Sequence, residues 1–437
     1  MEQISMRAVW ISYTVCAILL FVSAKNIMWG KHHAGIIKAD GKGYYAHLPA
    51  TFIYHDLNFG FFDSVENGKK YYNPHYYYDY RKTYDGKTLN KYYCGTAIAM
   101  MPFFAVAHVY ALISDYEADG FSKPYNISIS LAAIFYALAS LFLFIRILQH
   151  YSIRNSVIAW VLPFILFGTN WYYYIISEPA VSHVFTIFFV TWFYYLGLKW
   201  AKTGSVKWWL IGLILGLIIL IRPINILVIL LFPAFFKNFK SFKQRLTQSF
   251  RQPAKLGFGM LMGLAVVGLQ FILYKLQTGH FIIYSYENEG FNFTKPEIIN
   301  VLFSYKKGLF VYTPMYLFAL FGFVFMQKNN PWPAWMLLIF VSVFSYAISC
   351  WWNWYYGGSF SSRVYVDILL VFALFLAFFL NGLKSSKSKW MVYLCLILLT
   401  LYCQFETLQY RHMIIHWDGM DKQRFWDTFL DFSYFLK

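Results

Sequence analysis

Nine stretches of this chain, roughly 8–28, 126–147, 154–175, 180–199, 255–275, 309–327, 332–352, 364–383 and 389–408, run for about twenty residues with almost no charge. A helix needs about that many apolar residues to cross the hydrocarbon of a bilayer. With 59% of 437 residues hydrophobic and only 13% charged, too little polar surface remains to clothe a soluble fold. The expected class is an all-α integral membrane protein. The first run also offers Val22-Ser23-Ala24 to a signal peptidase, but Trp10 to Met28 is long enough to span.

Charge then orients the runs. Lysine and arginine outnumber acids 37 to 20, a formal charge of +17. A nucleic-acid binder can be that basic, but here the charge sits between hydrophobic runs, as in cytoplasmic loops anchored against anionic lipid. Between Glu178 and Glu287 there is no acid at all. Two shorter runs lie between Lys207 and Phe236, split by Arg222-Pro223, and one apolar stretch, Gly95 to Ile113, is ambiguous. Arg146/Arg154, Lys199/Lys202/Lys207, Lys237 to Arg251, Lys328 and Lys384/Lys387/Lys389 all fall in the cytoplasm provided that 95–113 does not cross. The reading is a polytopic bundle of about eleven spans, N-terminus in and C-terminus out, with 95–113 lying at the outer surface. The outer side then carries a Tyr-rich loop of about 30–124, a loop of about 276–308 and a tail of about 409–437. Its tyrosines suit a headgroup boundary or a sugar ring.

Three positions on that side carry chemistry. Asp40 opens Asp40-Gly41-Lys42-Gly43-Tyr44-Tyr45-Ala46-His47 just beyond the first span, ahead of a short amphipathic helix from Tyr44 to Tyr54. A carboxylate there is near the bilayer yet wet, as a general base acting on an incoming acceptor requires; a helix cap is the plainer use. Glu178 precedes Pro179 at the outer end of a span, with His183 deeper, so acid, hydroxyl and imidazole suggest a polar pocket, or again a cap. Arg222 sits at a turn that its short flanking helices, about 22 and 20 Å, leave below the outer surface of a core about 30 Å thick. A guanidinium there either snorkels or waits for an anion, and a lipid-linked phosphate is the natural anion at that height. Lys306, Lys307 and Arg363, the last closing an aromatic run from Trp351, are further bases on the outer side. No metal-ligand spacing, P-loop, Ser/His/Asp set or Rossmann glycine pattern occurs.

In this order these residues resemble the membrane glycosyltransferases of the GT-C fold, and among them the aminoarabinose lipid A transferases and protein O-mannosyltransferases. In such enzymes an Asp begins the first outer loop before a juxtamembrane helix, as Asp40 does. A surface helix follows a Lys-Pro or similar pair and a Gly, which Lys91 and Gly95 to Ile113 resemble. An acid-Pro pair matches Glu178-Pro179, and a basic residue at the tight turn of two short helices matches Arg222. The resemblance covers about 1–236, which it marks as the catalytic transmembrane module with 237–437 as a variable C-terminal one. Asp40 is followed by Gly41 and not by a second acid, so no paired-carboxylate site is implied. The 437 residues hold no large soluble domain of the kind some relatives carry, which leaves the acceptor open.

The resemblance implies an inverting transferase in a bacterial inner membrane, facing the periplasm, that moves a sugar from a polyprenyl phosphate to a glycan, lipid or protein acceptor. Asp40 would be the base, Arg222 the phosphate ligand and Glu178 a positioning acid. Tyr44, Tyr45, His47, Lys91, His183, Lys306, Lys307 and Arg363 would contact substrate. No cofactor is required, a divalent metal is compatible, and no nucleic-acid partner is implied. Two other classes remain open: a carrier or flippase for a polyprenyl-linked or other anionic lipid, using the same pocket without chemistry, and a structural subunit of an envelope complex.

Overall fold

The computed structural model describes residues 2–433. It is 69% helical, with a single two-stranded hairpin as its only sheet among the described residues. Among the described residues, eight helices are long and apolar enough to cross a membrane. The chain is therefore an all-α multi-pass membrane protein.

In chain order, α1 (Glu2–Ile27) leads to α2 (Asp40–Phe52), the hairpin β1 (Arg81–Tyr84) and β2 (Lys87–Asn90), and α3 (Gly95–Leu112). Next come α4 (Lys123–His150), α5 (Asn155–Phe167), α6 (Trp171–Ser177) and α7 (Ser182–Thr203). Then α8 (Trp208–Ile221) is followed by a 3₁₀ segment, Pro223–Phe235, and by α9 (Phe239–Phe250) and α10 (Pro253–Thr278). Four short helices follow, α11 (Ile298–Phe303), α12 (Leu309–Tyr312), α13 (Met315–Leu320) and α14 (Gly322–Asn329). The chain continues through α15 (Pro331–Ser349), α16 (Leu369–Gly382), α17 (Ser386–Arg411) and α18 (Lys422–Thr428). These elements form two compact units, one of Ala17–Ser140 and Tyr174–Asn288, the other of Met1–Cys16, Leu141–Tyr173 and Glu289–Lys437.

In the first unit, α8 and α10 meet through glycines spaced four apart. A Cβ on Gly212 would lie 1.8 Å from the Gly259 carbonyl oxygen, and one on Gly216 would lie 2.7 Å from that of Gly263. Small residues at this spacing let two membrane helices approach to backbone contact. The Tyr-rich loop is not merely a boundary girdle. Tyr44, Phe59, Phe61, Phe62, Tyr80 and Tyr92 form its buried aromatic core, with Tyr54, Tyr78 and Phe121 packed on it, while Tyr72 and Tyr77 are exposed. Both ends of α3 are held to this loop. Its C-terminal connection accepts hydrogen bonds from Tyr45 (to the Gly120 carbonyl, 2.5 Å), Tyr54 (to the Asp119 carbonyl, 2.9 Å) and Tyr71 (to the Asp119 carboxylate, 2.5 Å). Its N-terminus follows directly from β2 through Lys91, whose amide donates to the Tyr80 carbonyl at 2.9 Å.

In the second unit, α16 is the buried centre, packed by α5, α13 and α14. The run 309–327, expected as one span, is three short helices, broken around Pro314 and Phe321. Gly322 lets α14 rest on α16, since a Cβ there would fall 1.6 Å from the Phe375 carbonyl oxygen. The run 154–175 is likewise two helices, with the break at residues 168–170 held by the Thr169 hydroxyl bonding back to the Ile165 carbonyl (2.7 Å) and by Asn170, which accepts from the Tyr316 hydroxyl (3.0 Å).

Candidate functional site

The expected hairpin at Arg222 is present within one residue at either end. At 1.5 Å per residue, the fourteen residues of α8 cover about 21 Å. The thirteen of the 3₁₀ return cover about 26 Å at 2.0 Å per residue. Neither reaches the roughly 30 Å of a hydrocarbon core. Arg222 caps α8 in an extended conformation (φ −149°), and Pro223 starts the return. One guanidinium nitrogen of Arg222 donates to Ser182 Oγ (3.4 Å) and to His183 Nε2 (3.3 Å), the first two residues of α7. Accepting at Nε2 places the His183 ring proton on Nδ1.

The same Ser182 hydroxyl donates to the Tyr44 hydroxyl at 3.2 Å. The Tyr44 ring lies 4.6 Å from that of Tyr92, whose hydroxyl donates to Asp40 Oδ1 at 2.7 Å. Tyr78 shares a 2.5 Å hydrogen bond with the Tyr92 hydroxyl. Asp40 and Arg222 thus belong to one continuous polar and aromatic cluster. Tyr286 joins it from the loop after α10. Burial raises its phenol well above the ordinary range, and the Arg222 guanidinium and the Asp40 carboxylate both act on it, in opposite senses. Tyr93 stacks on Tyr286, and the Lys91 ammonium lies 5.2 Å from the centre of that ring.

Local sequence explains the placement of Asp40. The helix begins at Asp40 itself, a turn earlier than the Tyr44 start read from the pattern. Ala39 precedes it at φ 46°, ψ −133°, a conformation that costs a residue with a Cβ about 1–3 kcal/mol and that concentrates at functional sites. A Cβ on Gly41 would lie 2.7 Å from that of Ala180, and one on Gly43 would lie 2.2 Å from the Tyr92 ring. These two glycines bring α2 against both the Glu178-Pro179-Ala180 segment and Tyr92. Lys38 pairs with Glu178 (3.8 Å) and Lys42 with the buried Glu66 (3.2 Å), which also accepts from the Tyr80 hydroxyl (2.8 Å). The lysines beside Asp40 in sequence are therefore engaged by other carboxylates. Burial is the main cause raising the Glu66 carboxyl, opposed by Lys42.

Of the residues singled out in the sequence, Asp40, Tyr44, Lys91, Glu178, His183 and Arg222 converge in this unit. Tyr45 and His47 lie inside the packing, Tyr45 bonded to the Gly120 carbonyl and the His47 ring to the Tyr92 carbonyl (3.0 Å). Lys306, Lys307 and Arg363 belong to the other unit. Lys306 pairs with Asp418 (3.1 Å) above the Tyr355 ring, Lys307 is buried and donates to the Ser359 carbonyl, and Arg363 opens the 3₁₀ turn Arg363–Ile368. Tyr92, Tyr286, Ser182 and Lys38 were not among the sequence candidates. The signals available were the hydroxyl of the acid, hydroxyl and imidazole grouping for Ser182, the Tyr-rich loop for Tyr92, and the position of Lys38 two residues before Asp40. Among the described residues, no group of three or more His, Cys, Asp and Glu side chains is placed to hold a metal ion. No model of a known protein family matches this sequence, and no curated protein matches it either.

Proposed function

We propose that the protein is a membrane glycosyltransferase of the GT-C kind, moving a sugar from a polyprenyl phosphate to an acceptor with inversion at the anomeric carbon. The observation that carries this reading is the continuity from the Asp40 carboxylate through Tyr92, Tyr44 and Ser182 to the Arg222 guanidinium. A base and a phosphate ligand in one cluster are what a displacement at a sugar–phosphate bond needs.

In that reaction an acceptor oxygen attacks the anomeric carbon while Asp40 takes its proton. The bond from that carbon to the phosphate oxygen breaks, and its electron pair stays on the phosphate. Arg222 stabilises the charge that develops there, with His183 holding the guanidinium in place. Preorganised donors in a partly dehydrated site are worth several kcal/mol to such a step. Tyr92 orients the Asp40 carboxylate, and Glu178, paired with Lys38, lines the approach next to α2. No metal is needed for this chemistry, although a divalent ion is compatible with it.

The same reading gives a bundle of about eleven spans. In this reading α3, although long and apolar enough to cross, lies along the outer surface, with both of its ends tied to the Tyr-rich loop. The Arg222 hairpin then faces the side of the Tyr-rich loop, which the basic loops make the periplasmic side of a bacterial inner membrane. Profiling of lipid-linked sugars in a strain lacking the protein tests the function. Accumulation of one polyprenyl-phosphate sugar in the outer leaflet supports a transferase. A pool trapped in the inner leaflet supports a flippase and refutes the reading, as does an unchanged profile.

A further inference from the structure

The segment after the Arg222 hairpin is too polar to span, yet it exposes large aromatic side chains. α9 departs at 110° from the Pro223–Phe235 segment, so it runs across the direction of the spans. The turn is encoded: Asn238 accepts from the Ser241 amide at 2.8 Å while the Asn238 amide donates to the Ser241 hydroxyl, a capping box that starts a new helix. One face of α9 is fixed to protein. Phe242 packs 5.5 Å from Phe236, Ser249 is buried, and Arg245 donates to the Ala201 carbonyl at the end of α7 (3.4 Å).

The outer flank is largely exposed, although the Phe239 ring still lies 6.5 Å from that of Phe242. Phe239 and Phe250 are 57% and 66% exposed. They lie eleven residues apart on one side of the helix, about 16 Å along its axis. Lys243 is one turn from Phe239 on the same flank, Lys240 and the capping residue Arg251 lie beside it, and all three are exposed. No acid occurs between Glu178 and Glu287 to neutralise them. An apolar stripe edged by basic side chains is the pattern of a helix lying in a membrane interface.

We propose that α9 lies flat on the membrane surface and binds anionic phospholipid headgroups. Phe239 and Phe250 enter the acyl boundary, and Lys240, Lys243 and Arg251 meet lipid phosphates. The bound lipid thereby braces the base of the hairpin that carries Arg222, whatever chemistry that turn performs. Each basic side chain near an anionic surface contributes about fivefold in affinity, so removing three costs on the order of a hundredfold.

The test uses the purified full-length protein in detergent, with melting temperature followed as dioleoylphosphatidylglycerol or dioleoylphosphatidylcholine is added. The anionic lipid is expected to raise the melting temperature more than the zwitterionic one does. Its half-effective concentration should rise at least about tenfold in Lys240→Gln/Lys243→Gln/Arg251→Gln. It should stay within about twofold in Lys384→Gln/Lys387→Gln/Lys389→Gln, where the charge removed lies outside α9. Should the α9 variant fail to fold, the wild type still decides. Raising salt from about 0.05 to 0.5 M must weaken the response to the anionic lipid and leave the response to the zwitterionic lipid unchanged. Equal responses to the two lipids, a full anionic response in the α9 variant, an equal loss in the control variant, or a salt-insensitive anionic response would each overturn the proposal.

Discussion

The Tyr92 hydroxyl donates to Asp40 Oδ1 at 2.7 Å while its ring lies 4.6 Å from that of Tyr44. Tyr92 is buried and its own amide is fixed by Asn90 Oδ1 at 2.9 Å, so the phenol has one place to be. Tyr92→Phe keeps the ring and removes the hydrogen bond. Bonds to charged groups are worth about 1.5–3 kcal/mol. The rate of transfer should fall roughly ten- to hundredfold with little change in affinity for polyprenyl phosphate. Steady-state kinetics of the variant would show an unchanged rate if Tyr92 were only packing.

Gly43→Ala places a methyl group 2.2 Å from a Tyr92 ring carbon and 2.9 Å from Tyr80 Cβ. Both neighbours are in the aromatic core and cannot swing away. Overpacking of this kind costs about 1–3 kcal/mol. Thermal unfolding should show a melting temperature several degrees lower, whereas Gly257→Ala, within α10 and with open space around the added carbon, should not lower it.

His47 sets a dependence on acid. Its Nε2 donates to the Tyr92 carbonyl, and Nδ1 is buried without a hydrogen-bond partner, so a second ring proton would have nothing to bind. Burial lowers its pKa from 6.5 to about 4, against the opposing pull of that carbonyl. Because the folded value is depressed, the unfolded chain binds the proton more readily below pH 6.5. His47 therefore costs no stability above pH 6.5, and stability is lost as pH falls from there toward 4. The full window is worth about 3 kcal/mol. Melting temperatures from pH 7.5 to 4 should fall less steeply in His47→Gln than in the wild type. Parallel curves would remove His47 from the account.

Much of this was legible beforehand because it depends on distances along one helix. The positions of Lys207, Arg222-Pro223 and Phe236 mark the ends of two helices too short to span, and the structure has Trp208–Ile221 and Pro223–Phe235 there. Gly95 likewise starts α3, where an added Cβ would lie 2.4 Å from the Ile221 backbone nitrogen, next to Arg222. What stayed hidden depends on chain closure. Tyr286 meets Tyr92 and Tyr93 only because the loop after α10 folds back, with Ser285 donating to the Lys91 carbonyl at 2.7 Å. Nothing periodic in residues 276–308 announces that contact. The breaks in 154–175 and 309–327 were hidden for another reason. Mean hydropathy is blind to a helix interruption whose freed carbonyls, at Ile165 and Leu309, are satisfied by the Thr169 and Thr313 hydroxyls.

Arg222 distinguishes an anion ligand from a snorkelling base. Arg222→Ala should weaken binding of polyprenyl phosphate roughly ten- to hundredfold, with a smaller effect on melting temperature. Arg222→Lys should restore only part of the affinity, because an ammonium cannot reproduce the bidentate guanidinium fork. Affinity untouched by the alanine change would mean that the side chain merely reaches for the surface.

The most direct test of the central claim is a paired measurement on purified Asp40→Asn: turnover of a polyprenyl-phosphate sugar, and equilibrium binding of the same lipid. If Asp40 is the base of a transferase whose phosphate ligand is Arg222, turnover falls by about 10²–10⁴-fold while binding stays near the wild-type value. Wild-type turnover in that variant, or no turnover of any polyprenyl-phosphate sugar by the wild-type protein, would contradict it.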